Sequence, residues 1–184
     1  MLRDRGYEAL GVDPVAPEGA SYRQLEFEEA ELPQQVDAFV ACTSLHHVSD
    51  PEVLLDKVAA TLRPAGLLIV VEWDWEGFDE ETARWCFERL GSAEPDGWLR
   101  HHRDAWVSSG QTWDEYMRGW AGGHGIQSVR QLLPELDRRF ERLVCEWGAY
   151  CFEDLDEISE AEELDAIDAG LIRATRIDYV GRLG

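Results

Sequence analysis

The sequence has almost no lysine, no closely spaced cysteines and no long hydrophobic segment. Lys57 is the only lysine, whereas Asp and Glu number 38 and the formal net charge is −21. Because phosphate-rich partners need a basic face, this balance predicts no binding to nucleic acid or to an anionic membrane surface. The longest aliphatic run, LLIVV at 67–71, is far too short to cross a bilayer.

Cysteine usage and the amino-terminal residues indicate a reducing compartment. Four cysteines lie at positions 42, 86, 145 and 151, and none forms a C-x-x-C pair. The first residues, MLRDRGYEAL, are charged at once and do not resemble a signal peptide. We therefore expect reduced thiols in a cytoplasmic protein.

Alternation of strand and helix patterns predicts an α/β fold. The segments that read as strands are YEALGVDP (7–14), VDAFVAC (36–42), LLIVVEW (67–73), FERLVCEW (140–147) and LIRATRIDYVG (171–181). Asp50 offers an N-cap and Pro51 a first helical position, so a helix connects the second and third of these strands. The order predicts a mostly parallel sheet with LIRATRIDYVG as an antiparallel edge strand.

The middle of the chain is helical and rich in tryptophan. Seven of the eight tryptophans lie between positions 73 and 120. Asp79 and two capping boxes, Thr112 with Glu115 and Ser128 with Gln131, predict helix starts there. These helices form either a cover over a pocket or a second small core. We expect a single domain over 1–184, made of a half on the cofactor side (1–73), a helical cover (74–135) and carboxyl-terminal strands and helix (136–184).

The residues at the strand ends indicate where a ligand would bind. In open α/β sheets ligands bind beyond the carboxyl ends of the strands, which here are Asp13-Pro14, the stretch 43–47 and the stretch 72–75. A carboxylate such as that of Asp13 accepts hydrogen bonds from both hydroxyls of a ribose. The alternative is that an aspartate before a proline only begins a turn.

Taken together, GYEALGVDP and VDAFVACTSLHHVSDPEVLLDKVAATLRPAGLLIVVE resemble the class I S-adenosylmethionine-dependent methyltransferases. The resemblance covers about residues 2–73, and the late RATRIDYVGR resembles the closing strand of that fold. It implies a Rossmann-like methyltransferase fold, S-adenosylmethionine as the cofactor, and methyl transfer as the reaction. Ala65 stands where a second glycine is usual.

The resemblance also assigns residues to the cofactor. Asp13, followed by Pro14, would hold the ribose, and Glu28 or Glu29 would approach the adenine. The turn after the next strand would line the cofactor with Thr43, Ser44, Leu45 and His46.

Methyl transfer requires an aligned and desolvated acceptor, and a general base when the acceptor is a hydroxyl. His47 is the candidate base, and a packing role is its alternative. The residues expected to shape the acceptor side are Trp73, Asp74, Trp75, Trp120 and His124. So many aromatic side chains favour a small, apolar or planar acceptor.

The histidines do not predict a metal site. His46-His47 and His101-His102 are adjacent pairs, and no H-x-x-H or H-x-x-x-H spacing occurs. We expect adjacent side chains at a strand end to diverge, which prevents joint coordination of one ion.

One diagnostic element of the family has no counterpart before Asp13. The glycine-rich loop lies roughly 20 residues before the ribose acid, and counting back that far passes Met1. We therefore expect a truncated chain that lacks the first strand, binds S-adenosylmethionine weakly or not at all, and self-associates through exposed strand edges. The alternatives are a non-catalytic methyltransferase-like binding or partner protein, and a dehydrogenase fragment that binds NAD through the same ribose acid.

Overall fold

The structure is a computed structural model that describes residues 3–33, 35–91 and 97–184. The chain divides into two compact units, residues 1–35 and residues 36–184, and each is described by itself. The expectation of one domain with three parts stays a prediction. In these ranges no helix has both the length and the apolar character needed to cross a membrane.

The first unit contains two very short strands. Strand β1 (Gly11–Val12) pairs in parallel with β2 (Tyr22–Arg23), and 3₁₀ turns cover Arg3–Arg5 and Phe27–Glu29. The strand predicted over 7–14 is wrong in its length. It is limited to two residues because the strand that pairs with it is only two residues long.

The second unit contains a four-stranded sheet and six helices among its described residues. The strands are β3 (Val36–Cys42), β4 (Leu62–Trp73), β5 (Phe140–Gly148) and β6 (Arg176–Leu183). The helices are α1 (Pro51–Thr61), α2 (Glu80–Phe87), α3 (Trp98–Ser109), α4 (Trp113–His124), α5 (Val129–Arg139) and α6 (Glu160–Asp168).

The sheet order is β3-β4-β6-β5, with β3 parallel to β4 and with β6 antiparallel to both of its neighbours. Strands β3, β4 and β5 therefore run in one direction, which confirms the mostly parallel α/β sheet. The predicted antiparallel strand is present, but its placement at the edge is wrong. It lies inside the sheet because β5 pairs with its outer side along its full length.

The β3-α1-β4 unit follows the local signals of the sequence. Asp50 Oδ1 accepts a hydrogen bond from Val53 N at 3.1 Å, and Pro51 is the first helical residue. After the helix, β4 pairs with β3 at Leu62 and again from Leu67, so that residues 63–66 bulge out of the ladder. Ala65 in this bulge has a φ of 60°, a left-handed conformation that glycine adopts far more easily than alanine.

In the two central strands, β4 and β6, the side chains alternate between a buried face and a half-buried face. Leu68, Val70, Ile177 and Tyr179 point to the buried face, where α1 and α5 pack side by side. Arg139 fastens these two helices, because its Nε lies 2.5 Å from Asp56 Oδ1 and its Nη2 donates to Glu52 O at 2.9 Å.

The capping residues identified in the sequence begin their helices as predicted. Asp79 Oδ1 accepts from Thr82 N at 3.0 Å, and complete capping boxes begin α4 at Thr112 and α5 at Ser128. Helix α3 was not among the predicted elements. Its buried side was nevertheless visible as Trp98, His102 and Trp106, which are spaced four residues apart.

The helical part of the chain packs into a second hydrophobic core next to the end of β4. Its fully buried members are Trp73, Phe78, Ala83, Cys86, Leu99, Trp106, Trp113, Tyr116, Met117, Cys151 and Leu155. Of the two interpretations of the tryptophan-rich segment, the second small core is the one that the structure shows directly.

Candidate active site

The carboxyl ends of three strands meet at one edge of the sheet in the second unit. Because β3, β4 and β5 run in the same direction, the turn at 43–47, the stretch 72–75 and the segment 149–152 all follow at that edge. The sequence predicted the first two of these positions and did not include the third.

Glu72 is the buried centre of this edge. It is 1 % exposed, and its Oε1 accepts hydrogen bonds from Ser44 N at 2.7 Å and from Leu45 N at 2.6 Å. Its Oε2 lies 2.6 Å from His46 Nδ1. The carboxylate therefore fixes the turn after β3, because two backbone donors and one imidazole all converge on it.

The backbone of this turn is strained at Thr43. Its φ is 45°, a region that β-branched residues rarely enter. Thr43 N donates to Val71 O at 2.7 Å, and the next two N–H groups turn toward Glu72. Strain of this kind is concentrated at functional sites, where the surrounding structure holds it in place.

The two adjacent histidines lie close together, contrary to the expectation that they diverge. The ring centroids of His46 and His47 are 4.1 Å apart, because a 3₁₀ turn over Leu45–His47 replaces the extended backbone on which that expectation depended. In the described ranges, no group of three or more His, Cys, Asp or Glu residues is arranged to hold a metal ion. Burial, followed by the neighbouring His46, lowers the pKa of His47, and the charge of Glu72 opposes this shift.

A second buried carboxylate fixes the turn after β5 in the same way. Glu163, on α6, is 1 % exposed. It accepts hydrogen bonds from Tyr150 N at 2.9 Å, from Cys151 N at 3.2 Å and from Phe152 N at 2.6 Å. The position of Tyr150 at the edge of the sheet therefore depends on Glu163.

Aromatic rings surround Trp73, the last residue of β4. We call Trp73 and these neighbours the Trp73 cluster; the other members are Phe78, Trp98, His102, Trp120 and Tyr150. The ring centroid of Trp98 is nearest, at 5.0 Å, and that of His102 is farthest, at 6.3 Å. Trp120 also contacts His124 outside the cluster, and the centroids of these two rings are 5.4 Å apart.

His102 is the polar member of the cluster. It is 4 % exposed, and its Nδ1 lies 2.9 Å from the hydroxyl of Tyr116. Burial, with smaller effects from His101 and His124, lowers the pKa of His102 to about 4. The imidazole is therefore neutral at neutral pH and acts as a hydrogen-bonding group without a charge.

The segment after Trp73 connects the cluster to the turn after β3. Trp75 Nε1 donates to Gln127 O at 3.2 Å, and Gln127 N donates to His46 O at 2.8 Å. Asp74 lies against Gly77, where an added Cβ would meet the Asp74 carboxylate, so a larger residue at position 77 would require the Asp74 side chain to shift. Burial raises the pKa of Asp74, although the Gly77 backbone N–H opposes the shift.

The predicted cofactor residues of the first unit lie on exposed turns. Asp13 follows β1, and its Oδ1 accepts from Val15 N at 2.7 Å, which is the turn interaction considered as the alternative for this residue. Pro14 is exposed beside it, and Glu28 and Glu29 are exposed in the 3₁₀ turn. A nucleoside pocket shared by Asp13 and the turn at 43–47 stays a prediction.

The sequence did not predict individual roles for three residues of this site, although Glu72 lies in a stretch expected to face the ligand. Glu72 ends an aliphatic strand, and an acid in that position is a signal of a buried carboxylate with partners. His102 shares a helix face with Trp98 and Trp106, which distinguishes it from His101. Tyr150 had no comparable signal, since its place depends on β5 and on Glu163.

Comparison with solved structures gives methyltransferases as similar folds. An S-adenosylmethionine-dependent methyltransferase from Mesorhizobium loti is 18% identical, with a TM-score of 0.54, over 98% of this chain and 83% of that one. A Listeria monocytogenes protein assigned to the same class is 12% identical, with a TM-score of 0.51, over 99% and 83%. The N-methyltransferase NodS from Bradyrhizobium japonicum is 11% identical, with a TM-score of 0.46, over 89% of this chain and 54% of that one.

The sequence itself matches a family model described as a methyltransferase domain over residues 1–132. A search of the curated proteins gave no match.

Proposed function

This chain belongs to the class I S-adenosylmethionine-dependent methyltransferases, and from that membership we propose that it methylates a small-molecule acceptor held by the Trp73 cluster. The observation that carries the proposal is the position of the cluster, which begins at the last residue of β4 where ligands of open α/β sheets bind. The expected acceptor residues Trp73, Trp75 and Trp120 belong to this aromatic core or pack against it. Asp74 and His124 adjoin it.

The chemistry of the surface supports a small acceptor. A net charge of −21 repels RNA and DNA, because their phosphates require a basic face. Buried aromatic rings bind apolar or planar molecules through contact area and ring stacking.

The residues proposed for the cofactor fit it in part. S-adenosylmethionine supplies a methyl group activated by a sulfonium charge. Asp13 is exposed and could accept from ribose hydroxyls, and Glu28 or Glu29 could accept from the adenine. At the turn after β3, Glu72 occupies the N–H groups of Ser44 and Leu45, so Thr43 and Ser44 would contribute their exposed side chains, beside His46.

His47 is the proposed general base for a hydroxyl acceptor. It is exposed at the edge of the sheet, and its lowered pKa keeps the imidazole neutral and able to accept a proton near neutral pH. His47→Ala should lower turnover by roughly 10²–10⁴-fold while cofactor affinity stays nearly unchanged. His101 is an exposed histidine elsewhere in the chain, and an equal loss of turnover in His101→Ala would contradict a specific role of His47 as the base.

We also propose that the 184-residue chain binds S-adenosylmethionine weakly, because Glu72 already occupies the backbone N–H groups of Ser44 and Leu45 at the turn after β3. Titration calorimetry that gives micromolar affinity would contradict this. A non-catalytic binding or partner protein is the second candidate, and the engagement of the Ser44 and Leu45 N–H groups by Glu72 favours it.

The deciding experiment uses methyl-labelled S-adenosylmethionine at millimolar concentration, above the expected dissociation constant. The chain is incubated separately with metabolites below 1 kDa, with protein and with RNA, and the label in each fraction is counted. Label in the metabolite fraction supports the proposal. Label in protein or RNA contradicts the acceptor class, and no transfer despite measurable cofactor binding supports the non-catalytic candidate.

Self-association is proposed through the edge strands β3 and β5. Light scattering during gel filtration tests it, and a monomer at about 100 μM would contradict it.

A further inference from the structure

The indole N–H of Trp73 is buried without a hydrogen-bond acceptor. Trp73 is 5 % exposed. Among the residues that the structure describes, two buried side-chain polar atoms lack a partner, Trp73 Nε1 and Thr175 Oγ1. Buried indole N–H groups usually have an acceptor, because burial otherwise forfeits the hydrogen bond that water supplies in the unfolded chain.

Neighbouring tryptophans show that the fold can satisfy such donors. Trp113 Nε1 donates to Phe78 O at 2.6 Å, Trp98 Nε1 to Asp154 Oδ2 at 2.9 Å, and Trp106 Nε1 to Gln111 O at 3.0 Å. Trp73 therefore differs from three tryptophans of the same core, and it is the one at the carboxyl end of a central strand.

One side of the Trp73 cluster is formed by rings that are partly exposed to solvent. Phe78 and His102 are fully buried, whereas Trp98, Trp120 and Tyr150 are half-buried. A planar molecule entering between these outer rings would replace ring contacts with equivalent ring contacts and would supply the missing acceptor.

We infer that the acceptor substrate is an uncharged planar molecule whose oxygen accepts a hydrogen bond from Trp73 Nε1. This inference rests on the proposed function and specifies the substrate class of the same site. Trp73 is thus a specificity-determining residue.

The charges around Trp73 exclude anionic acceptors. Burial, followed by nearby charges that include those of Glu72 and Asp154, raises the pKa of Tyr150 in the cluster. The carboxylate of Asp154 also accepts a hydrogen bond from Trp98 Nε1. An anion here would face carboxylates with no basic side chain in the cluster to compensate. A cation without a lone pair would leave the Trp73 N–H unsatisfied.

The test compares three bicyclic probes of similar size: 1-indanone, which has a carbonyl acceptor, indane, which has none, and indane-1-carboxylate, which is charged. Their affinities for the complete 184-residue chain are measured by titration calorimetry, without S-adenosylmethionine. We expect 1-indanone to bind about tenfold more tightly than indane, and the carboxylate not to bind. An apolar site without a donor would prefer indane, because transfer from water penalises the carbonyl.

Two variants separate the hydrogen bond from packing. Trp73→Phe should bind 1-indanone and indane with about equal affinity, and its affinity for indane should match that of the wild type. Trp106→Phe, the matched control, should preserve the preference, because the Trp106 N–H is already bonded to Gln111. Retention of the preference in Trp73→Phe would overturn the inference, as would its loss in both variants.

A measurement on the unsubstituted chain covers the case in which Trp73→Phe does not fold. In a ¹H–¹⁵N spectrum of the indole groups, the Trp73 N–H resonance, assigned through its own backbone, should move downfield with 1-indanone and stay in place with indane. No movement, or no binding of either probe, would overturn the inference. Because these experiments omit the methyl donor, their failure would leave the labelled-transfer result unaffected, and the two hypotheses can fail separately.

Discussion

The neutral state of His102 gives the protein a specific weakness toward acid. Its pKa falls from an ordinary 6.5 to about 4 because the aromatic core does not solvate an imidazolium. Below pH 6.5 the unfolded chain takes up a proton at this residue, while the folded protein stays neutral until about pH 4. The stability associated with His102 is therefore complete above pH 6.5 and is lost as the pH falls toward 4.

The size of the effect follows from the shift. A change from 6.5 to about 4, at about 1.4 kcal/mol per pH unit, corresponds to about 3 kcal/mol. In His102→Asn the amide can still bond to the Tyr116 hydroxyl, but it does not titrate. The free energy of unfolding of the wild type minus that of His102→Asn should therefore fall by about 2–3 kcal/mol between pH 7 and pH 4.5.

Urea unfolding followed by tryptophan fluorescence at four pH values measures this difference. Taking the difference between two proteins removes the titration of the many surface carboxylates, which both proteins share. His101→Asn, an exposed neighbour on the same helix, is the control and should follow the wild-type profile closely, because burial is the main cause of the His102 shift and His101 a smaller one. A difference between wild type and His102→Asn that stays constant within about 0.5 kcal/mol would refute a buried neutral imidazole.

Further predictions concern the Glu72 carboxylate and the bulge in β4. Glu72→Ala should lower the free energy of unfolding by about 3–5 kcal/mol, because it leaves the Ser44 and Leu45 N–H groups without their acceptor. The control, Glu146→Ala at an exposed position, should change this free energy by less than about 0.5 kcal/mol. Urea titrations that give equal effects for the two variants would contradict the role of Glu72. Ala65→Gly should raise the melting temperature and increase the free energy of unfolding by about 1 kcal/mol, because glycine adopts a φ of 60° without strain. A lower melting temperature for this variant would show that Ala65 is not strained.

Local signals in the sequence were sufficient for much of the fold. The Asp50-Pro51 start of α1 and the capping boxes at Thr112 and Ser128 act within four residues, so their outcome does not depend on distant chain segments. The family resemblance over VDAFVAC and LLIVVEW likewise implied a methyltransferase sheet, and these two segments form the parallel pair β3 and β4. The position of Ala65 at a site where glycine is usual was already visible, and its left-handed φ explains the preference.

Long-range packing decided the rest. That β6 lies inside the sheet depends on which strand pairs with its outer side, and no residue of β6 encodes that choice. Glu72 and Glu163 are ordinary acids in the sequence. They become the fixed points of the site because they are buried against backbone N–H groups from residues 27–28 positions away for Glu72 and 11–13 positions away for Glu163. Likewise, the composition shows many tryptophans, but only the tertiary structure distinguishes Trp73, whose N–H group has no acceptor, from the tryptophans whose N–H groups are hydrogen-bonded. The reason is that a hydrogen bond depends on which atoms folding brings within about 3 Å of each other.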